Sequence, residues 1–445
     1  MDNLCHVVAH HGAWFRKPGL CAQWHGREND LPVCSVLFRR TTFPCVAGRR
    51  RPLWFRQGDI PTNDVKMSTN RRDVYLDLMR GCAALLVCAN HLRAVTMASY
   101  HSLADGSLFL QAFYAATSFG HQAVIIFFVL SGYFVGGSLL AKGSAFSLRS
   151  YAIARLTRLW VVLIPALLLT AGIDHVLHTS APEVLSGAYA GVWNLGPQPG
   201  GDYSASAAVF LGNLFFLQQI FLPVFGSNDP LWSLAYEFWY YAAFPLLLVG
   251  LGRRLERRSV MSRCLAVAAV ALILAFLPWS GRVGFLCWLG GVAVYAMRGH
   301  FPAVNVSMAL VIFVAGLGFS RWMGSGGVAA AIVDLEMALV TMILVAALAS
   351  KSATVGVWRP AAWLSYHLSE MSYTLYLMHF PLALCIGGIV LRGDRLLPDA
   401  AGLATYLGWF CATLVLAWCF WFAFERRTYQ IRQSVQQTFA RRWMS

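Results

Sequence analysis

Long apolar runs follow one another along the chain from about residue 75 to residue 424, each close to the ~20 residues that a bilayer-crossing helix needs. Aromatic residues stand at many of their ends, as is typical of membrane interfaces. The pattern predicts an all-α, polytopic integral membrane protein with about ten transmembrane helices. We place these spans near 75–97, 119–141, 157–177, 231–251, 262–278, 283–299, 303–320, 329–350, 369–391 and 400–424.

An eleventh apolar stretch, residues 207–225, is broken by polar residues, glycine and proline. The interruptions are Gly212, Asn213, Gln218, Gln219 and Pro223. If this stretch crossed the membrane, the arginine-rich loop 252–263 would lie outside, against the positive-inside rule. A re-entrant or interfacial segment instead leaves that loop inside with the other basic loops. The sequence therefore predicts ten spans plus such a segment, with both termini cytoplasmic.

Composition agrees with the hydrophobic pattern, because 58% of the residues are hydrophobic and only 12% are charged. The net charge of +15 is concentrated in the first 72 residues, which hold twelve Lys/Arg against five Asp/Glu, and in short loops. That placement is typical of positive-inside topology rather than of a nucleic-acid-binding groove. We therefore expect no nucleic-acid partner.

The N-terminal segment differs from the rest of the chain. Residues 1–66 are rich in Arg, Cys and His without helical periodicity, and Met67 would be a natural start just before the first span. We interpret 1–66 as a basic, poorly ordered cytoplasmic extension or a mis-assigned start, 67–429 as the membrane domain and 430–445 as a cytoplasmic tail. The eleven cysteines fit no common metal-ligand spacing, so no metal site and no permanently bound cofactor are expected.

The first span carries Asp77, Arg80 and His91, although each ionisable residue inside a span costs roughly 2.5–3.5 kcal/mol to insert. Arg80 and His91 are eleven residues apart, which puts them on one helical face about 16 Å from each other. Asp77 and Arg80 could form an internal salt bridge. His91 could be a catalytic base, or a neutral imidazole that donates to a backbone carbonyl.

Later spans carry further polar groups. Ser131 precedes Gly132 in the second span, where small residues also favour close helix packing. Arg155 and Arg158 stand one turn apart at the start of the third span, where they could bind a dedicated phosphate group or snorkel to lipid phosphate. The fourth span carries Trp232, Ser233 and Glu237, and the ninth carries Tyr373, Tyr376 and His379. His379 precedes Phe-Pro, so a kink or hydrogen-bonding role is open beside a catalytic one.

These motifs, in this order, resemble the acyltransferase-3 family of ten-span enzymes that O-acylate cell-surface and secreted glycans. The matching elements are "LDLMRGCAALLVCANH", "FFVLSGYF", the R-x-x-R before Pro165, "LWSLAYEFWYYAAFP" and "SYTLYLMHFPL". The resemblance extends from about Asp73 to Tyr429. Each motif is weak alone, and together they are specific.

The resemblance implies roles for individual residues. His91 would be the catalytic histidine, with Arg80 and Glu237 beside it in the reaction. Arg155, Arg158 and Ser131 would bind the acyl-CoA. The expected substrate-binding or structural residues are Asp77, Ser233, Trp232, Tyr373, Tyr376 and His379.

The resemblance thus implies an O-acyltransferase, which we expect in the bacterial inner (plasma) membrane. The donor would be cytoplasmic acyl-CoA, acetyl-CoA by default, and the acceptor a hydroxyl of a cell-surface, exported or lipid-linked saccharide. A membrane transporter or exporter of a saccharide or lipid is the alternative, since intramembrane charges also mark transport pathways. The oligomeric state stays open.

Overall fold

The computed structural model describes residues 73–103, 106–143, 146–193, 195–201, 203–252, 259–298, 300, 304–351 and 359–442. Within these ranges the chain forms helices and no β-strand, apart from three isolated bridges. Residues 1–66, for which we predict an extension or a mis-assigned start, lie outside the described ranges, so that prediction is not tested.

Each of the ten predicted spans coincides with one helix, and we number these helices in chain order. They are α1 Val74–Thr96, α2 Gly120–Lys142, α3 Leu148–Ser180, α4 Leu231–Gly250, α5 Val260–Phe276, α6 Trp279–Ala296, α7 Val306–Ser325, α8 Ala330–Lys351, α9 Arg359–Cys385 and α10 Ala400–Ala423. Seven helices of the described ranges are long and apolar enough to cross a membrane, whereas α4, α5 and α6 do not meet both criteria. The all-α polytopic fold is confirmed, and ten crossings stay a prediction.

Residues 207–225 do not form a membrane-length helix. A helix of eight residues, Ala207–Leu214, is followed by a tight turn in which Phe216 and Gln219 have φ near +60°. The Asn213 side chain holds this turn, since its Oδ1 accepts from Phe225 N at 2.9 Å and its Nδ2 donates to Pro223 O at 3.1 Å. The polar interruptions in the sequence therefore fold the segment back, as predicted for a re-entrant or interfacial piece.

Glycine allows α2 and α6 to cross in direct backbone contact. A Cβ atom on Gly132 would lie 1.8 Å from Trp288 O, and one on Gly291 would lie 1.9 Å from Val129 O. No side chain fits at these distances, which confirms the small-residue packing expected at Gly132. At this point α2 makes a π-helical turn, Gly132–Gly136. The crossing fixes the position of Ser131, which directly precedes it.

Helix α1 lies along α9. Ser365 Oγ donates to Val74 O at 2.6 Å near the start of both helices, and His91 contacts His379 farther along each. Beyond the end of α1 the chain pairs with the loop after α9, because Leu396 N donates to Thr96 O and Ala98 N donates to Leu396 O, both at 2.9 Å. The two helices thus form one unit that carries both histidines.

Candidate active site

A cavity of about 180 Å³ lies among α1, α2, α3, α4 and α9, and we call it the central cavity. Eight of the predicted site residues line it, namely Arg80, Ser131, Arg155, Arg158, Ser233, Glu237, Tyr373 and Tyr376. Its apolar wall includes Phe127, Phe128 and Phe134. Five separate helices therefore bring most of the predicted site together. His91, His379, Asp77 and Trp232 are not among its lining residues.

Arg80 reaches the central cavity from α1 while it is ion-paired with Asp77, its predicted i,i+3 partner. Asp77 also accepts a hydrogen bond from Ser369 Oγ at 3.0 Å. The Arg80 guanidinium lies 5.2 Å from the centre of the Phe134 ring, and its Nε is buried without a hydrogen-bond partner. The salt bridge therefore holds Arg80 at the cavity wall and leaves one donor available.

The two arginines of α3 have different surroundings. Arg158 Nη1 lies 3.0 Å from Glu425 Oε1, and the Glu425 side chain is 1% exposed. Arg155 has no carboxylate within ion-pairing distance among the described residues, and its guanidinium lies 5.9 Å from the ring centres of Tyr151 and Tyr241. Its Nε is buried and has no partner. Arg158 is therefore paired with a carboxylate of the protein, whereas Arg155 is not paired with one among the described residues.

Glu237 belongs to a chain of hydrogen bonds across the cavity wall. Trp288 Nε1 donates to Ser131 Oγ at 3.0 Å, Ser131 Oγ lies 3.1 Å from Tyr241 Oη, and Tyr241 Oη donates to Glu237 Oε1 at 2.5 Å. Because the Tyr241 hydroxyl donates its proton to Glu237, the Ser131 hydroxyl must donate to Tyr241 Oη. Glu237 is thus positioned by Tyr241, and it forms no hydrogen bond with His91 in the described structure.

Two hydroxyls of the cavity wall meet at the start of α4. Ser233 Oγ and Tyr376 Oη are 2.5 Å apart, and Tyr376 Oη also donates to Pro230 O at 3.0 Å. The Tyr376 ring stands between the central cavity, which it lines, and His379, whose ring centre is 5.9 Å away. Tyr373 is held separately, because its hydroxyl donates to Leu159 O at 3.2 Å.

The two predicted histidines contact each other directly. His91 Nδ1 lies 2.8 Å from His379 Nε2, and His379 Nδ1 lies 3.0 Å from Leu375 O. A carbonyl only accepts, so a neutral His379 carries its proton on Nδ1 and offers the lone pair of Nε2. His91 must then donate from its own Nδ1, which leaves the lone pair on His91 Nε2. The pair therefore holds His91 in the tautomer of a general base.

The sequence left open that His91 donates to a backbone carbonyl. In the structure His379, rather than His91, makes such a bond. His379 bonds to a carbonyl and is 2% exposed, while His91 packs edge-on against Phe380 with ring centres 5.0 Å apart. His91 is thus half-buried against α9 and does not itself line the central cavity. The sequence predicts both histidines as site residues but not their contact.

Trp232 does not line the central cavity but packs behind its wall, with its ring centre 6.4 Å from that of Phe128. Its ring faces His121, with ring centres 6.4 Å apart, and His121 Nε2 lies 2.7 Å from Asp334 Oδ1. Sequence reasoning missed this pair as well as Tyr241 and Glu425. Asp334 is visible in the sequence as a carboxylate inside a span, but its partner lies 213 residues away along the chain.

Comparison with known proteins identifies the family. The family model of acyltransferase-3, described as an acyltransferase domain, matches residues 73–423, which is most of the 445-residue chain. The chain belongs to the acyltransferase-3 family. No curated protein and no solved structure matches it. With its apolar helices, this acyltransferase-3 member is a membrane acyltransferase.

Proposed function

We propose that this protein is an integral membrane O-acyltransferase that moves an acyl group, acetyl by default, from cytoplasmic acyl-CoA to a hydroxyl of a cell-surface, exported or lipid-linked saccharide. The observation that carries the proposal is the contact between His91 and His379, which leaves a lone pair on His91 Nε2. A base of this kind is what the attack of a sugar hydroxyl on a thioester needs.

The thioester end of the donor would enter the central cavity, because about 180 Å³ is less than a whole coenzyme A molecule needs. Coenzyme A carries several phosphate charges, and Arg155 is a cation at the cavity wall that no carboxylate of the described residues neutralises. Arg158 is already paired with Glu425, so we expect it to position rather than to neutralise the donor. Ser131 and Tyr241 supply hydroxyls beside Arg155, and Phe127, Phe128 and Phe134 supply apolar contacts for the acyl chain and pantetheine arm.

The reaction follows from the tautomer. His91 Nε2 takes the proton of the acceptor hydroxyl as its oxygen attacks the thioester carbonyl. The ester bond forms, the carbon–sulfur bond breaks, and the coenzyme A thiolate takes the proton back from the imidazolium. During this step His379 Nε2 keeps accepting from His91 Nδ1, which stabilises the positive charge. Glu237 and Ser233 would hold acceptor hydroxyls.

Topology supports the proposed direction of transfer. The basic loops predict that both termini face the cytoplasm of a bacterial cell, with the protein in the inner membrane. Arg155 and Arg158 would then stand toward the cytoplasmic side, where acyl-CoA is found. Membership of the acyltransferase-3 family supports acyl transfer over the transporter alternative, which relies on intramembrane charges alone.

The test uses the full chain, purified in detergent, with radiolabelled acetyl-CoA, together with mass analysis of glycans from expressing cells. His91→Ala should lower transfer about 10²- to 10⁴-fold, the usual contribution of a general base. His175→Ala is the matched control, because His175 is an exposed histidine on α3 outside the site. Glycan acylation that persists with folded His91→Ala at normal abundance would overturn the proposed mechanism.

A further inference from the structure

A second cavity of about 620 Å³ lies at the end of α1, and we call it the arginine cavity because Arg93, Arg321 and Arg395 line it. Asn90, Tyr114 and Trp193 are also in its wall. It shares no lining residue with the central cavity. The three arginines come from α1, α7 and the loop after α9, so the fold brings them together from distant parts of the chain.

No carboxylate lines the arginine cavity, and its three arginines form no ion pair with any described residue. Arg93 Nε makes only a long contact of 3.4 Å to Thr117 O, and its guanidinium lies 5.1 Å from the centre of the Tyr114 ring. Arg395 Nη2 donates to Ala94 O at 3.1 Å, while its Nε is buried without a partner. Like charges held together without a counter-ion are unfavourable, so this arrangement favours a bound anion.

The cavity walls are held in place before any ligand arrives. The chain around Leu396 is paired with the end of α1, which positions Arg395. Tyr114 Oη donates to Ala98 O at 2.6 Å, and Asn90 Nδ2 donates to Thr117 O at 3.1 Å. Guanidinium groups fixed in this way present paired N–H donors, which match the oxygens of a carboxylate or a phosphate.

The cavity is next to the proposed base. Asn90, Arg93 and Ala94 lie on one face of α1 and line the cavity together with Met97, which directly follows the helix, and His91 is on the same turn as Asn90. Arg80, at the central cavity, is eleven residues earlier, about 16 Å along the helix axis. Along α1 the proposed base is therefore at the level of the arginine cavity, while the central cavity meets the helix about three turns earlier.

We infer that the arginine cavity binds an oxyanion group, carboxylate or phosphate, of the acceptor, so that the acceptor is an acidic or phosphate-bearing saccharide rather than a neutral one. The inference rests on the proposed function for the identity of the ligand as acceptor.

The experiment measures binding by the full chain in phosphatidylcholine nanodiscs, which carry no net charge. The probes are trigalacturonate, its neutral counterpart maltotriose, and inorganic pyrophosphate. The variants are Arg93→Gln and Arg395→Gln, with Arg321→Gln as a third because Arg321 is exposed and its loss disturbs no buried contact. Arg392→Gln is the control, an exposed arginine of the same loop that does not line the cavity.

We expect trigalacturonate or pyrophosphate to bind at least about tenfold tighter than maltotriose, and each cavity variant to weaken that binding by about tenfold or more, the range for a lost charge-assisted hydrogen bond. The Arg392→Gln protein should bind like the unaltered chain. Equal binding of charged and neutral probes, or cavity variants that bind like the control, would overturn the inference. Loss of probe binding in phosphatidylglycerol nanodiscs would do so too, because the cavity would then hold a lipid headgroup.

The binding experiment does not require catalysis. Its result therefore tests the anion site independently of the proposed acyl transfer. Specific anion binding by a chain that transfers no acyl group would overturn the proposed function and keep the anion site. Unchanged glycan acylation in cells that express Arg395→Gln would overturn the acceptor inference and keep the proposed function.

Discussion

His91 and His379 are 288 residues apart in the sequence, yet their imidazoles share a hydrogen bond of 2.8 Å between α1 and α9. Catalytic histidines are often oriented by a carboxylate. Here the acceptor is a second, neutral imidazole, itself fixed by Leu375 O. A neutral partner stabilises an imidazolium less than a carboxylate does, but it avoids a buried negative charge inside the membrane, where such a charge is costly.

The histidine pair predicts a graded series at residue 379. His379→Phe removes the acceptor for His91 Nδ1 and should lower kcat about 10- to 100-fold, the usual effect of losing an orienting partner, with the KM for acyl-CoA unchanged. His379→Gln retains an amide oxygen that accepts the same bond and should recover most of the rate. Initial rates at varied acetyl-CoA measure both. If the Phe and Gln variants are equally slow, His379 does not act through the tautomer of His91.

Arg155 provides a test of donor binding. Its guanidinium is the charge at the central cavity wall that no described carboxylate neutralises, so Arg155→Gln should raise the KM for acyl-CoA by about tenfold or more and leave the KM for the acceptor unchanged. Arg155→Lys should restore little, because an ammonium lacks the planar fork that stacks near Tyr151 and Tyr241. A change in acceptor KM alone would contradict the donor assignment.

Arg158 should behave differently from Arg155 although it is only one turn away. Arg158→Met leaves the Glu425 carboxylate buried without its cation, and breaking such a pair costs about 3–5 kcal/mol in stability. The variant should therefore show lower thermal stability before any kinetic effect is measured.

Glu425→Gln in the same chain should restore much of that stability, because the neutral amide needs no cation and still accepts from Thr374 Oγ1. Thermal unfolding of the single and double variants in detergent measures the coupling. If the stability lost in the double variant equals the sum of the losses in the two single variants, the two side chains are not coupled.

The contact between α2 and α6 predicts opposite outcomes for two glycines. Gly132→Ala would place a methyl group 1.8 Å from Trp288 O, so the helices must separate, and we expect a loss of stability of at least 1–3 kcal/mol, as for other overpacked positions. Gly172→Ala, on α3, meets nothing within 4 Å and should be neutral or stabilising by up to about 1 kcal/mol. Thermal unfolding compares them. Equal stability of the two variants would contradict the close crossing.

Periodicity and length predicted the helices, because a membrane-length apolar run has few alternatives to a helix. The interruption at Asn213 and Pro223 predicted the folded-back segment, and the i,i+3 spacing predicted the pair of Asp77 and Arg80. These features are local. Each follows from residues close together in the chain.

The contacts between helices that are distant in the sequence could not be predicted from such local patterns. Glu425 looks like part of the basic sequence that follows α10, and only the fold shows it buried against Arg158. Arg93, Arg321 and Arg395 each resemble an ordinary arginine near a helix end. Their shared cavity depends on how α1, α7 and the loop after α9 pack, which hydrophobic pattern alone does not determine.

The separation of the two cavities also bears on the membrane as an electrical barrier. A protein with polar chambers reaching in from both sides would conduct protons or ions if those chambers joined. Leu92 and Val95 of α1 pack with Phe380 and Leu384 of α9 in one apolar cluster, and each of the four is 2% exposed or less. Phe380 of this cluster also packs against His91. In the proposed mechanism only a proton moves at that imidazole, so the apolar cluster beside it would not need to open to water or ions during a turnover.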